Sequence, residues 1–319
     1  MQSKIVNFLK ASQGYISGEE ISRQLKVSRA GIWKYIQELR HAGYDIVAVP
    51  HLGYKLVSSP DKLLAHEIQF GLNTKTFGKK VIYYESITST MEPAFRLGVE
   101  GEAEGTVVCA ESQTKGKGRL GRSWVSPKGK GIYMSVVLRP PLAPAQASQV
   151  TLLSAVAVCE AVNLSCSVNA KIKWPNDILV NDRKLAGILT ELNAEMDCVR
   201  FLVVGIGINV NTPLGLLPEH STSLKHELKK HINRIEVLRE ILRRLEFWCD
   251  TLRSPEGFQL VIQRWKELSM TIGRRVRVLD ASGEVEGEAV DLDKNGGLVI
   301  RHDSGITMKR MSGDVVQVR

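Results

Sequence analysis

The 319-residue sequence is poor in several things, and each shortage narrows its class. No apolar run, Phe201 to Val210 included, approaches the roughly 20 residues that a membrane-spanning helix requires, so no membrane partner is expected. The first residues lack a secretory apolar block, because Lys4, Asn7 and Lys10 interrupt it. Cysteine is scarce: Cys109, Cys159, Cys166, Cys198 and Cys249 are odd in number, widely spaced and without CxxC spacing. That excludes a disulfide framework and a thiolate metal site, and fits reduced core residues of a cytoplasmic protein. Acidic residues are also outnumbered, 34 Asp and Glu against 43 Lys and Arg, for a net charge of +9. Nucleic acid, nucleotides and acidic lipid are the partners such a surplus favours. With 43% hydrophobic and 24% charged residues, the chain can bury large cores, and its length suits two or three domains.

The charge is unevenly placed. Residues 1–60 hold eight Lys or Arg against four Asp or Glu, whereas residues 271–319 hold eight of each. The basic first segment reads as three short helices and a hairpin. Ile5, Phe8 and Leu9 repeat at helical spacing, and Ser17 to Glu20 (SGEE) is a capping box opening a second helix that buries Ile21 and Leu25. Ser28 can cap a third helix with Ile32, Ile36 and Leu39 inward and Ala30, Lys34, Gln37 and His41 outward. Tyr44 to Val49 and Gly53 to Val57 form a hairpin around Pro50-His51-Leu52. The sum is a winged helix-turn-helix over residues 1–62, and the polar stretch Ser58 to Leu64 suits a linker.

Residues 63–270 alternate short strands with helices. Strands are expected near Lys80–Glu85, Thr106–Glu111, Gly131–Arg139, Ala170–Trp174, Ile178–Val180, Lys184–Leu192 and Phe201–Val210. Helices are expected near Glu92–Leu97, Ala147–Asn163, Ile235–Leu252 and Pro255–Leu268. Consecutive hairpins with interspersed helices predict an α+β unit rather than a regular βαβ array. Residues 271–319 read as short strands with Gly-rich turns, a small β-barrel.

The most informative segment lies between Gln113 and Gly131. It carries Lys115, Lys117, Arg119, Arg122, Lys128 and Lys130 among glycines, with no carboxylate. Glycine lets backbone N–H groups approach a ligand, and the cations neutralise phosphate or carboxylate charge. Gly116, Gly118 and Gly121 satisfy GxGxxG, and Gly116 to Ser123 approximates a Walker A string. Both lack the following helix that would receive a phosphate, since Trp124, Val125 and Pro127 come next. A solvated basic loop stays open for this run taken alone. Agreement with other segments argues for a site. Gly205, Gly207 and Asn209 share one strand face, leaving a surface against which a flat ligand could lie, and Lys184 heads a run with small neighbours.

The strings SRAGIWKYIQELR, Ser89-Thr90, AESQTKGKGRLGRSWVSP, KWPNDI, RKLAGIL and GIGINVN occur in that order. On them the whole chain resembles the bifunctional biotin protein ligases, or biotin operon repressors, of bacteria. The resemblance implies an α+β multidomain protein: a winged helix-turn-helix, a class II synthetase-like catalytic domain and a C-terminal SH3-like barrel. It implies that biotin and ATP give biotinyl-5′-adenylate, with Mg²⁺, and that a lysine of the biotin carboxyl carrier protein then receives the biotinyl group. Ser89, Thr90, Met91, Gln113, Gly116, Lys117, Gly118, Arg119, Lys184 and Gly187 would line the biotin site. Arg119, Arg122, Trp124, Asn176, Asp177, Lys184 and Asn209 would hold the nucleotide, with Asp177 a candidate metal ligand. Arg119 and Lys184 would be the catalytic cations. Ser28, Arg29, Ala30, Lys34, Gln37 and the wing residue Lys55 would bind operator DNA, with the adenylate as corepressor of a homodimer.

Three positions depart from the family pattern. Met91 stands where Asn usually follows the Ser-Thr pair, which leaves a backbone contact there, and Lys117 and Leu120 replace arginines of the loop. A lysine neutralises an oxyanion but makes no bidentate contact. A lipoate-attaching enzyme and a ligand-sensing transcription factor without transferase activity are the competing readings. Arg119→Gly is expected to loosen the adenylate, so that biotin appears on non-specific lysines. Blotting a mixture of carrier and bulk protein for biotin checks this, and selectivity equal to wild type would remove the role assigned to Arg119.

Overall fold

The computed structural model describes residues 1–12, 14–280 and 282–317. Three helices open the chain, α1 (Gln2–Ala11), α2 (Gly18–Leu25) and α3 (Arg29–His41), followed by the hairpin of β1 (Asp45–Val49) and β2 (Gly53–Ser58). Ser17 Oγ accepts from Glu20 N at 3.0 Å and Ser28 Oγ from Gly31 N at 3.1 Å, caps worth about 1 kcal/mol each. Only half of the expected capping box forms, because the Glu20 side chain turns to Arg23 and Gln24. Ile5, Leu9, Ile21, Ile32, Ile36, Leu39 and Ile46 close a core belonging to this unit alone. Gly53 is needed where the wing meets the helices: its φ is +105°, and a Cβ there would lie 2.0 Å from Ile16 O.

The stretch expected as a linker is pinned. Leu63 is fully buried and its N–H donates to Glu111 Oε1 at 2.8 Å, while Asp61 accepts from Arg234 Nε at 3.1 Å. Just beyond lies the short helix α4 (Ala65–Gln69), not anticipated from the sequence. Its Glu67 is buried and takes Lys10 and the Tyr44 hydroxyl from the first unit, so polar contacts join the two units.

A seven-stranded sheet organises the middle of the chain. Its strands are β3 (Val81–Tyr84), β4 (Val107–Ala110), β7 (Gly131–Leu138), β8 (Lys171–Lys173), β9 (Asp177–Val180), β10 (Arg183–Ala194) and β11 (Val199–Asn209). The order is β3-β4-β7-β11-β10-β9-β8, and only β3 and β4 run parallel. The basic loop folds into a small hairpin of β5 (Gly116–Lys117) and β6 (Ser123–Trp124). Helix α5 (Met91–Val99) covers one face of the sheet. The other face takes α6 (Ser148–Cys166), α8 (Arg234–Leu252) and α9 (Gly257–Leu268), and α7 (Leu224–Leu228) precedes α8.

Helix α6 corrects the reading of apolar runs. Pro144–Cys166 is long and apolar enough to cross a membrane by length and composition, yet 78% of its most apolar window is buried inside the protein. It is a core helix, packed against α8 and α9, expected as a helix from the sequence but not as a long apolar stretch, because Ser, Thr and Gln break its apolar residues into short runs.

The C-terminal strands are β12 (Arg275–Asp280), β13 (Gly283–Leu292), β14 (Leu298–Arg301), β15 (Thr307–Arg310) and β16 (Asp314–Gln317). They form a five-stranded antiparallel sheet in the order β15-β14-β13-β12-β16, the small all-β unit expected of this segment. Its Val276, Val278, Leu298 and Ile300 continue the core that contains Leu152, Trp174 and Trp265, and Trp174 Nε1 donates to Gly296 O at 3.3 Å.

Arg234 is fully buried on α8, where Nη1 lies 2.9 Å from Glu111 Oε2 and donates to Gly131 O at 3.0 Å. Burial works against its charge, but Asp61 and Glu111 outweigh burial and raise its pKa. Arg234→Ala strands the Glu111 carboxylate inside the protein. A loss of about 3–5 kcal/mol is expected, read as a lowered urea midpoint.

Candidate functional site

Strand parity builds the site. Along β11, Leu202, Val204, Ile206 and Ile208 enter the core under α6, while Phe201 and Val203 face α5. Gly205, Gly207 and Asn209 continue that second row past the end of α5, which leaves a cavity of about 130 Å³ over the glycines. The glycine face is not bare. A Cβ at Gly207 would lie 2.5 Å from Trp124 Cε2, one at Gly187 3.1 Å from Trp124 Cζ3, and one at Gly205 2.5 Å from Met91 Sδ. The expected platform is therefore clad by an indole and a thioether from this same chain.

Ser89 and Thr90, both buried, precede α5 at one end of the cavity. Gln113 Oε1 accepts from Thr90 N at 2.8 Å, Gln113 Nε2 donates to Ser126 Oγ at 3.0 Å, and Thr90 Oγ1 and Ser135 Oγ share a hydrogen bond at 2.8 Å. Met91 contributes its side chain to the cavity wall, more than the backbone contact expected of it. Gly116 does not line the cavity. Its missing Cβ makes room for Trp124 O and Ser126 Oγ, so it serves the packing of the small hairpin.

The remaining wall is cationic. Lys117, Gly118, Arg119, Arg122 and Lys184 all border the cavity. Arg119 Nη1 donates to Asn176 Oδ1 at 2.7 Å and Nη2 to Gly313 O at 3.2 Å, while Arg122 pairs with Asp314 of β16. The loop is thus tethered to the C-terminal sheet, a contact between residues 192 positions apart that no local pattern announces. Lys117 Nζ lies 3.6 Å from Glu92 Oε1. Lys184 Nζ stands 2.7 Å from Asp177 Oδ1 and 5.7 Å from the centre of the Trp124 ring, and its backbone N–H donates to His220 O at 2.8 Å.

A second cleft of about 480 Å³ opens on the other side of Trp124 and Lys184, lined by Asn209, Asp177 and the segment Leu217 to Ser221. Lys173, passed over in the sequence, also lines it. Burial pushes its ammonium below the ordinary lysine range against the pull of Asp177, and Lys184 adds to the push. A lysine at the end of a strand, just before a turn, carries no distinguishing mark in one dimension, and only its burial beside two other charges sets it apart.

The DNA-binding candidates lie on α3 and the wing. Arg29, Ala30 and Lys34 are exposed and Gln37 is half-buried, but Ser28 Oγ is engaged as a helix cap and Arg29 pairs with Glu19. Lys55 is exposed on β2 with Nζ 5.8 Å from the Tyr15 ring centre. Gly207→Ala offers a test of this cavity as the candidate site: the methyl group must displace Trp124. At least a tenfold rise in KM for ATP is expected with the melting temperature little changed, measured by steady-state kinetics and calorimetry.

Residues 83–209 match the biotin/lipoate A/B protein ligase family, residues 1–55 a helix-turn-helix domain and residues 271–317 the biotin protein ligase C-terminal domain. The chain is 39% identical over 312 residues to the bifunctional ligase/repressor BirA of Bacillus subtilis, covering 97% of this chain and 95% of that protein. It is 32% identical to BirA of Escherichia coli, over 96% of this chain and 94% of that one. The biotin protein ligase of Aquifex aeolicus, solved with biotin and ATP, superposes with a TM-score of 0.64 at 31% identity, over 76% of this chain and 99% of that one. A cationic cavity on a glycine strand, a winged head and these full-length similarities agree: the chain belongs to the family of bifunctional biotin protein ligases and repressors.

Proposed function

We propose that the protein activates biotin with ATP to biotinyl-5′-adenylate, transfers the biotinyl group to a lysine of a biotin carboxyl carrier protein, and represses biotin genes by binding operator DNA. The observation carrying the ligase reading is the convergence of Arg119 and Lys184, with Asn176 and Asp177, on the cavity that Trp124 walls.

Ser89, Thr90, Met91, Gln113 and Gly187 form the biotin end, with Lys117 and Gly118 at its rim. Trp124, Asn176, Asp177, Arg122 and Asn209 form the nucleotide end. In the first step a biotin carboxylate oxygen attacks the α-phosphorus and pyrophosphate leaves. Negative charge then accumulates on the phosphoryl oxygens between two anions, which fixed cations stabilise without reorganisation. Lys184 adjoins both Asp177 and the Trp124 ring on the cavity wall, which supports a role for its ammonium where the carboxylate and phosphate would meet. Arg119 exchanges its neutral partners, Asn176 Oδ1 and Gly313 O, for the phosphate. In the second step the carrier amine attacks the acyl carbon, the acyl C–O bond breaks, and AMP departs with the bridging oxygen and that bonding pair while the amine nitrogen gives up a proton to solvent. Holding both reactants in line is the larger part of the rate gain.

Magnesium would enter with the triphosphate and neutralise part of its charge. Among the described residues no three His, Cys, Asp or Glu side chains gather to hold a cation. The residues fit an ion held chiefly by phosphate and water, with Asp177 the carboxylate at hand. The head binds DNA as a homodimer assembled on the adenylate, with α3 in the major groove and Lys55 at the phosphates, and the protein works in the cytoplasm.

Incubating the protein with a carrier domain, ATP, and labelled biotin or lipoate decides the ligase reading. Label from biotin alone is expected on the carrier. Label from lipoate, or adenylate without transfer, would establish one of the competing readings instead. Lys184→Met is expected to slow adenylate formation by about a hundredfold or more, measured as pyrophosphate release.

A further inference from the structure

Helix α3 displays a residue that a charge-based reading of its outer face omits. Trp33 is 59% exposed, on a helix whose inner face gives Ile32, Ile36 and Leu39 to the sealed core of the head. At 100° per residue, Arg29, Trp33, Gln37, Ala30, His41 and Lys34 fall in that order within an arc of about 140°. Trp33 therefore sits inside the array of candidate DNA contacts. No aromatic or cation stacks on its ring among the described residues. An indole is among the largest apolar surfaces a residue can offer, and folding of the head does not use this one.

The collar around it narrows what could cover it. Arg29 and Lys34 are cationic, α3 places no carboxylate in the arc, and among the described residues the one acidic partner at its edge is Glu19 of α2, paired with Arg29. A second copy of the same face would set like charges against one another. An apolar ring in a cationic collar instead matches a surface that is anionic at its edges and apolar at its centre. The major groove is such a surface, with phosphates along both rims and thymine C5-methyl groups on the floor.

We propose that Trp33 reads thymine: its indole packs against a C5-methyl group in each operator half-site, adding sequence preference where Arg29 and Lys34 add salt-dependent affinity. This rests on α3 being the operator-reading helix. The indole lies inward on the arc from the Arg29 edge, so the cation can reach a rim phosphate while the ring reaches the floor.

The test uses the full-length protein with biotin and ATP. Wild type first enriches duplexes from a random pool, and each thymine of the enriched site is then replaced by deoxyuridine, which lacks only the methyl. At one thymine per half-site the exchange is expected to weaken wild type about three- to fivefold, the value of one buried methyl, and to leave Trp33→Ala unaffected. Trp33→Ala should also bind the intact site about tenfold more weakly, yet match wild type in affinity for random duplex and in salt dependence. Trp33→Phe should recover part of the loss. Far-ultraviolet circular dichroism and a thermal unfolding profile equal to wild type, together with wild-type affinity for random duplex, show that the head of both variants is folded. Uracil effects equal in wild type and Trp33→Ala, or absent from both, would overturn the thymine contact while leaving operator binding intact. If wild type enriches no sequence, the operator reading falls and the thymine contact falls with it.

Discussion

Gly187 and Gly207 face each other directly across β10 and β11, and the space left by their two absent side chains is what admits the Trp124 ring. Much of the site hangs on that cross-strand pair. With the indole laid flat on the sheet, the small hairpin of β5 and β6 has an anchor, and the loop between its strands holds Arg119 and Arg122 against the cavity. The same ring divides the cavity from the neighbouring cleft and stands beside Lys184. Removing side chains from two adjacent strand positions costs packing and backbone entropy, and strands tolerate it mainly where something must come close. Here the guest is a side chain of the protein, and the space beside it remains for a ligand.

A second constraint is the buried carboxylate at the end of β4. Glu111 accepts the Leu63 N–H on one oxygen and meets Arg234 through the other, and Gly129 N–H donates to its backbone oxygen at 3.0 Å. The chain leaving the head, the core helix α8 and both stems of the basic loop thus meet at one residue. A carboxylate this deep is tolerable only because each oxygen has a partner.

Legibility in the sequence followed the range of the interaction. The caps at Ser17 and Ser28, the helical faces of the head and the wing depend on neighbours within a few positions, and they read directly from the chain. The parity of Gly205, Gly207 and Asn209 was equally visible, because a strand alternates whatever surrounds it. What covers those glycines was not visible, since Trp124 and Met91 reach them from distant segments. The same holds for the Arg122–Asp314 tether, for the burial that depresses the Lys173 pKa, and for the pinned Asp61 and Leu63. Gly116 misled for the opposite reason: a glycine in a basic loop suggests close approach of a ligand, whereas here a backbone oxygen of the same hairpin is what approaches. Family resemblance supplied residue roles that spacing alone did not.

The separate core of the head has a consequence for how the chain can vary. Its apolar residues close on themselves, and Lys10, Tyr44 and Glu67 join it to the rest through polar groups that water could replace. The C-terminal sheet is built the other way, since Val276, Val278 and Ile300 complete the core that α6 and α9 begin. Excising the head would uncover little greasy surface, whereas excising the tail would cut the catalytic core open. The head is in this sense a detachable cassette, free to be gained, lost or exchanged among enzymes, and the tail is a permanent wall of the enzyme itself.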